Sequence, residues 1–165
     1  MSFQSYIKIK GMKQGQFKGE SHKKGREKDW MEFHTYKMGS STPVDAASGM
    51  AKGHRQHKPL IVTKERGASS PMALQAHWTN ETLPEVVLEI VGRSPDGVKE
   101  IVVERIKLTN ATITSIDRYA AESTKASNTH DVDFVEDIAF RFQKIEVEDV
   151  GASTMAADDW QTPGA

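Results

Sequence analysis

Cysteine is absent from this sequence of 165 residues. Without thiols the chain can form neither disulfide bonds nor thiolate metal sites. Long apolar runs are absent as well, because no segment approaches the ~20 apolar residues that cross a membrane. The opening stretch, MSFQSYIKIKGMKQ, lacks the apolar core of a secretory signal. We therefore expect no membrane insertion and, if the protein leaves the cell, export by a separate machine.

The sequence also lacks the motifs of common enzymes. It has no G-x-S-x-G segment and no glycine loop that binds phosphate. His54 and His57 lie three residues apart, but no cysteine or fixed carboxylate completes a metal site, and a mobile basic loop is the simpler interpretation. His34 and His77 are interpreted as ordinary strand and helix residues, because nothing in the sequence couples them to a nucleophile. We expect no enzymatic activity, no cofactor and no bound metal.

Charge is unevenly distributed along the chain, although the net charge is only −1. Residues 1–66 contain 14 Lys or Arg and 6 Asp or Glu, whereas residues 67–165 contain 8 and 17. A basic first half could bind nucleic acid by releasing counterions from phosphates, or its lysines could protect sheet edges from aggregation. A third interpretation is that basic and acidic surfaces attract each other between subunits.

Most of the chain has the pattern of β-strands. Residues 3–10 alternate apolar and polar side chains, and the aromatic-rich segment 30–38 lacks helix formers. The sequence SPDG at 94–97 is the strongest turn signal and predicts a hairpin. We interpret the segment around Asn110 as one long strand with a bulge, with a second hairpin as the alternative, and residues 132–147 as one strand whose side-chain parity changes once. These features predict a mainly β fold, a small closed or nearly closed β-barrel of about eight strands.

A single short α-helix is predicted from about Ser70 to Asn80, after the apolar strand LIV and a glycine turn. Ser70 is expected at the N-cap and Pro71 at the first helical position, where the missing N–H of proline costs nothing. Leu74 and Trp78 lie four residues apart, so we expect them to share the face that packs on the core.

An unusually long connection, residues 40–57, separates two predicted strands with 18 small, polar and glycine-rich residues. Connections above roughly 12–15 residues in compact domains tend to be functional or disordered. By length the chain is one domain. We assign residues 1–150 to a single β-barrel domain that carries this extended loop, and residues 151–165 to a C-terminal tail with Met155 and Trp160 as its only anchors.

The segment TKERGASSPMALQA, between an apolar strand and the strand EVVLEIVG, resembles the Hcp proteins, the tube subunits of bacterial type VI secretion systems. FQSYIKIKG near the start and GES at 19–21 extend the resemblance, which reaches to about Val150. It implies a structural protein that forms hexameric rings, which stack into a hollow tube. It also implies synthesis in the bacterial cytoplasm, secretion without a signal peptide, effector proteins carried in the lumen, and contacts with the contractile sheath and the spike.

The resemblance further implies that the loop 40–57 projects from the ring and contributes to stacking. The candidate stacking residues are Ser40, Ser41, Thr42, Pro43, Val44, Asp45, Met50, Lys52, His54 and Arg55. Opposite charges on two faces of the ring would favour head-to-tail stacking. The alternative is a monomeric β-barrel that binds a small ligand, or nucleic acid through the basic N-terminal half with Tyr6, Phe17 and Trp30 as stacking platforms. The favoured interpretation includes no nucleic-acid partner.

Overall fold

The computed structural model describes residues 5–122 and 132–160 of the chain. Within these two ranges there are twelve strands and one helix. In chain order they are β1 (Ser5–Gly11), β2 (Gly15–Gln16), β3 (Met31–Phe33), β4 (Thr35–Lys37), β5 (Ser40–Ser41), β6 (Gln56–His57), β7 (Leu60–Glu65), α1 (Ser70–Trp78), β8 (Leu83–Arg93), β9 (Glu100–Glu122), β10 (Val132–Arg141), β11 (Lys144–Asp149) and β12 (Thr154–Asp159). The predicted fold class, mainly β with one short helix, is confirmed.

Strand β9 holds the two parts of the main sheet together. Its first part pairs with β8 and with β11, so that Leu108 lies opposite both Val86 and Ile145. Its second part pairs with β10, where Ile116 lies opposite Ile138. This one strand of 23 residues therefore crosses from one side of the core to the other.

The remaining strands flank this framework. β1 pairs with β2, β3 and β8, whereas β7 lies between β10 and β4. The ladder ends at β2 on one side and at β4 on the other, and within residues 5–122 and 132–160 no strand pairing joins these ends. The barrel is thus open. Strands β5 and β6 form a separate two-stranded ribbon.

The long strand bends where its partners change. Asn110 has a left-handed backbone with a φ of 50°, which asparagine tolerates better than most residues. Register shifts, each with one extra residue in β9, occur at Val103 against β8 and at Thr114 against β10. Such bulges increase the twist of a strand. The interpretation as one long bulged strand is confirmed, with the nearest bulge four residues beyond Asn110.

Residues 132–147 form two strands, not the single strand that the sequence pattern predicts. β10 pairs with β7 and the second part of β9, whereas β11 pairs with the first part of β9. The parity change therefore marks the point at which the chain moves between the two parts of the sheet. Segment 30–38 divides in the same way, because β3 pairs with β1 while β4 pairs with β7. These divisions raise the number of strands above the predicted eight.

Part of the segment 151–165, predicted to be a C-terminal tail, forms strand β12. β12 pairs with β11 along its whole length, with Asp159 opposite Lys144 and Thr154 opposite Asp149. Its segment TMAADD lacks apolar alternation because it is an edge strand that buries few side chains. Residues 161–165 lie outside the described residues.

The core lies between the sheet and the helix, and α1 packs against β9. Every long strand contributes apolar side chains to it. The larger members are Ile7, Ile9, Phe17, Met31, Phe33, Leu60, Val62, Leu83, Val86, Leu88, Ile106, Leu108, Ile113, Ile138, Phe140 and Ile145.

The face that the helix buries differs from the predicted one. Its buried residues are Ser70, Ala73 and Ala76, whereas Leu74 is only half-buried and Trp78 is 72% exposed. Small side chains at a spacing of three let the helix backbone approach β9 closely, which leaves no room for leucine or tryptophan on that side.

The start of the helix is also one residue earlier than predicted. Ser69 is the N-cap and makes no capping hydrogen bond through its side chain, while Ser70 is already helical. The Ser70 hydroxyl instead donates to Glu136 Oε1 at 2.8 Å. Pro71 therefore follows at the second helical position. The sequence rule for N-caps fails here because the Ser70 hydroxyl is taken by a buried carboxylate.

Candidate functional site

Residues 40–57, predicted as a long loop, form a narrow hairpin that we call the arm. At its base β5 pairs with β6, and Ser40 lies opposite His57. Further out, Val44 and Ala51 form an isolated antiparallel bridge. The candidate stacking residues are therefore brought together along one ordered ribbon: Ser40, Ser41, Thr42, Pro43, Val44, Asp45, Met50, Lys52, His54 and Arg55.

Asp45 organises the tip of the arm. Its N–H donates to the carbonyl oxygen of Met50 at 2.9 Å, and its carbonyl oxygen accepts from the N–H of Gly49 at 2.8 Å. Its carboxylate accepts from the N–H of Ala47 and from the hydroxyl of Ser48, both at 3.1 Å. An aspartate that binds its own turn in this way favours one turn conformation. The tip is thus preorganised for contact.

The tip exposes two apolar side chains on this ordered frame. Val44 is 64% exposed and Met50 is 69% exposed. The polar candidates Thr42, Lys52 and His54 are exposed along the same ribbon. Exposed apolar groups surrounded by polar ones are typical of a surface that contacts another molecule.

The root of the arm is bound to the C-terminal strand through Asp158. Arg55 donates from Nε to Asp158 Oδ2 at 2.8 Å and from Nη2 to Asp158 Oδ1 at 2.6 Å. His57 Nε2 lies 2.6 Å from the same Oδ2. A bidentate arginine–carboxylate pair is among the strongest polar contacts in proteins. We call these three side chains, Arg55, His57 and Asp158, the latch.

The charge of Asp158 is held by its partners. The hydrogen bonds from Arg55 and then from His57 keep the pKa of the Asp158 carboxyl well below its usual range, against the smaller opposing effect of desolvation. Asp158 is therefore ionised at every physiological pH, and the arginine pair persists across that range.

Aromatic rings surround the latch. The imidazole of His57 meets the rings of Phe142 and Trp160 edge-on, each with 5.4 Å between centroids. The backbone N–H of Trp160 donates to the carbonyl oxygen of Gln143 at 2.9 Å. A mostly apolar cavity of about 160 Å³ lies beside them, lined in part by Phe142 and Met38. The root of the arm, the start of β11 and the end of β12 form one packed unit.

Sequence reasoning missed Asp158 altogether. It named Met155 and Trp160 as anchors. Met155 is 67% exposed, whereas the Trp160 ring meets His57 edge-on. Asp158 lies 103 residues from Arg55, so no local pattern connects them. The available signal was an acidic pair beside a tryptophan in a segment otherwise made of small residues.

The segment that carries the family resemblance forms a buried ion network. Lys64 Nζ lies 3.1 Å from Glu20 Oε2 and 3.1 Å from Glu136 Oε1. The N–H of Ser69 donates to Glu20 Oε1 at 2.6 Å, and Arg118 Nε donates to Glu136 Oε2 at 3.2 Å. Both carboxylates are therefore matched by a cation, as buried charges require. The network ties residues 19–21 and the start of α1 to β10, which is a structural role.

Ion pairs join the basic first half of the chain to the acidic second half. Lys23 pairs with Glu100 at 2.8 Å and Arg26 with Glu89 at 3.2 Å. The latch joins the two halves as well. These pairs compensate part of the charge asymmetry within the protomer. Charge-assisted stacking stays a prediction.

The aromatic residues proposed as platforms for nucleic acid are not available for stacking. Tyr6 and Phe17 are buried in the protomer. The Arg26 guanidinium lies over the rings of Tyr6 and Trp30, 4.3 and 4.7 Å from their centroids. Bases stack on exposed rings, so the geometry disfavours nucleic-acid binding through the N-terminal half.

No metal-binding cluster of three or more His, Asp or Glu residues occurs within residues 5–122 and 132–160. His54 is exposed while His57 faces Asp158. His77 Nδ1 lies 3.0 Å from the Ile113 carbonyl oxygen, and His34 pairs with Glu65 on the surface. In the same part of the chain, no helix has the length and apolar character needed to cross a bilayer.

Comparison with known proteins gives a consistent result. The family model described as "Type VI secretion system effector, Hcp" matches residues 6–148. The "Major exported protein" of Pseudomonas aeruginosa is 29% identical over 174 residues, covering 100% of this chain and 99% of the relative.

Solved structures share the fold. A crystal structure of an Hcp protein superposes with a TM-score of 0.87 at 28% identity, covering 97% of this chain and 99% of that one. Hcp1 of the Escherichia coli EAEC 042 pathovar gives a TM-score of 0.80 at 23% identity, covering 96% and 99%. At that lower identity the likeness concerns the fold alone.

Proposed function

This chain belongs to the Hcp family of type VI secretion proteins, and from that premise we propose that it is a tube subunit. Six copies close into a ring, and rings stack head to tail into a hollow tube that carries effector proteins. The protein is made in the bacterial cytoplasm and exported without a signal peptide. Its partners are further copies of itself, the contractile sheath, the spike and the effectors.

The observation that carries the proposal is the arm. A connection of 18 residues is held as an ordered ribbon, with an organised turn and two exposed apolar side chains at its tip. A stacking ring needs an element that reaches its neighbour, and the arm supports this role because it is an ordered ribbon with exposed apolar side chains.

The position of the arm supports stacking with a fixed polarity. Asp158, which binds the root of the arm, lies opposite Ile145 of β11, and Ile145 lies opposite Leu108 of β9. The 94–97 turn lies beyond the other end of the same sheet, next to Ile101. Leu108 and Ile101 are seven positions apart in β9, which corresponds to about 23 Å. When the arm at one end of a subunit contacts a different surface at the other end of the next subunit, the contact is heterologous. Such a contact repeats into an open filament.

Free strand edges support lateral contact within a ring. Among the residues that the structure describes, β12 pairs on one side only, with β11, and its side chains are largely exposed. Exposed edges invite pairing unless another chain covers them. Ring closure would provide that cover.

The proposal includes no catalytic step. Lys64 lies between the carboxylates of Glu20 and Glu136, and the Ser70 hydroxyl donates to Glu136, so these groups pair with one another inside the protein. The export of this protein is inferred from the family and from the name of the Pseudomonas relative, which is a major exported protein.

Light scattering on the purified protein tests ring formation. We expect a particle of six times 18.3 kDa, stable on dilution to the micromolar range. A monodisperse species of 18.3 kDa at tens of micromolar would contradict the proposal and return the monomeric binding protein as the better account. Electron microscopy of concentrated samples then shows whether the rings stack.

A further inference from the structure

The latch joins two segments that the chain keeps far apart. One carboxylate, that of Asp158, accepts two hydrogen bonds from Arg55 and lies within hydrogen-bond distance of His57. Arg55 also donates to the carbonyl oxygen of Asp159 at 3.2 Å. The contact therefore involves both the side chain and the backbone of β12.

Contacts outside the ribbon help to fix the direction of the arm. Its two strands, β5 and β6, have two residues each and form a ribbon outside the main sheet. A two-stranded ribbon alone is marginally stable in water. Between it and the pairing of β4 with β7 lies one backbone hydrogen bond, from the N–H of Lys58 to the carbonyl oxygen of Gly39 at 2.8 Å. Besides the latch, Arg141 donates from Nη1 to the His57 carbonyl oxygen at 3.2 Å.

We propose that Asp158 is a positioning residue for stacking, and that the C-terminal strand sets the direction in which the arm leaves the ring. This inference rests on the proposed function of the arm. It assigns β12 to the stacking element, although the strand lies outside the arm and about a hundred residues later in the chain. A change at the end of the chain therefore acts on the contact between rings.

The test uses Asp158→Asn, which keeps the shape of the side chain and removes the charge that Arg55 and His57 bind. The matched control is Glu148→Gln on the adjacent strand β11, which also removes one negative charge and breaks a surface pair with Arg105 at 3.4 Å. Arg55→Gln and the double variant complete a cycle that shows whether the two residues act as one unit.

The direction of the arm is measured by spin labels. Because the chain has no cysteine, Ala46→Cys at the tip and Lys99→Cys at the far end of the sheet accept labels at those positions alone. Labelled subunits are diluted with unlabelled ones, and the distance distribution is recorded in the assembled rings. We expect a narrow distribution for the parent and for Glu148→Gln, and a broad one for Asp158→Asn.

Stacking is measured in parallel as the fraction of protein that sediments as filaments. Ring mass by light scattering should be the same for all variants. The filament fraction should fall about tenfold or more in Asp158→Asn, the factor expected from losing one hydrogen bond to a charged group. Arg55→Gln and the double variant should fall by the same factor, because each alone already opens the latch.

The outcomes separate the inference from the function on which it rests. If Asp158→Asn keeps a narrow distribution and stacks like the parent, the inference is overturned while the tube function stands. If parent rings form no filaments, the stacking function and the inference fail together. If Asp158→Asn no longer forms rings, Arg55→Gln provides the test, because this variant leaves β12 unchanged. Rings of Arg55→Gln that do not stack support the inference, and rings of Arg55→Gln that stack normally overturn it.

Discussion

Lys64 and Glu136 meet in the interior of the barrel, with the Lys64 ammonium nitrogen 3.1 Å from Glu136 Oε1 and side-chain exposures of 1% and 0%. This pair lies beneath the start of the helix, where the Ser70 hydroxyl joins it. Buried charges are stable only when each has a partner. The TKERGASS segment is therefore a structural motif. The proposed function depends instead on the arm, which contains no recognisable sequence motif.

Removing the buried cation should destabilise the fold strongly. Lys64→Met leaves Glu20 and Glu136 close together without their shared lysine, and we expect a loss of about 3–5 kcal/mol in the free energy of unfolding. Lys23→Met is the matched control, because its pair with Glu100 is half-exposed and exposed pairs contribute little to stability. Urea denaturation measures both. Equal effects would show that Lys64 is not needed to compensate the carboxylates.

The helix should respond to substitution according to its observed face. Ala73 lies buried against the sheet, so Ala73→Leu should cost about 1–3 kcal/mol through overpacking. Leu74→Ala should cost less than the roughly 2–5 kcal/mol of a fully buried leucine, and Trp78→Ser should stay within about 0.5 kcal/mol. Thermal unfolding of the three variants gives the order. A large loss for Trp78→Ser would restore the predicted face.

The sequence predicts elements whose signals are local. Alternation places β1, the SPDG turn places the hairpin of β8 and β9, and the LIV strand followed by serine and proline places α1. The predicted buried face of the helix is wrong because helical spacing alone does not distinguish large side chains that reach solvent from small ones that allow close packing. Here Ala73 and Ala76 pack and Trp78 does not.

The errors elsewhere have one physical cause, which is that sheet partners are distant in sequence. Nothing local in residues 132–147 shows that β10 and β11 pair with different parts of β9. Likewise, the length of the arm can be recognised in the sequence. The contact of the arm with Asp158 cannot, because it depends on the pairing of β12 with β11, which brings Asp158 next to the root of the arm. The core could be predicted in large part from periodicity, whereas the latch could not.

The latch should make the stability depend on acid pH with a defined sign. The pKa of Asp158 in the folded protein is depressed by Arg55 and His57 below the unfolded value of about 3.9. Its stabilising contribution is therefore complete above that value and is lost as the pH falls through the folded pKa. The stability difference between the parent and Asp158→Asn should be constant from neutral pH down to about pH 5 and shrink below about pH 4. A difference that is unchanged at the lowest accessible pH would contradict this assignment.

The exposed apolar tip should contribute to stacking but not to folding. Met50→Ser should raise the protein concentration needed for filaments by about tenfold, because burying such a side chain contributes roughly 1.5–3 kcal/mol. Met12→Ser is the control, since Met12 lies outside the arm and β12 and is exposed to a similar extent, 66% against 69%. Sedimentation over a concentration series measures the threshold. Equal shifts for the two variants would place no special contact at Met50.

The account depends most on the claim that the arm joins rings, and shortening the arm tests it directly. Residues 42–53 are replaced by the dipeptide Asn-Gly, which favours a tight turn and keeps both the β5–β6 base and Arg55. Electron microscopy and light scattering then compare the shortened protein with the full chain under conditions in which the full chain forms tubes. The account predicts rings with an unchanged number of subunits and no tubes. Tubes formed as readily as by the full chain would contradict it.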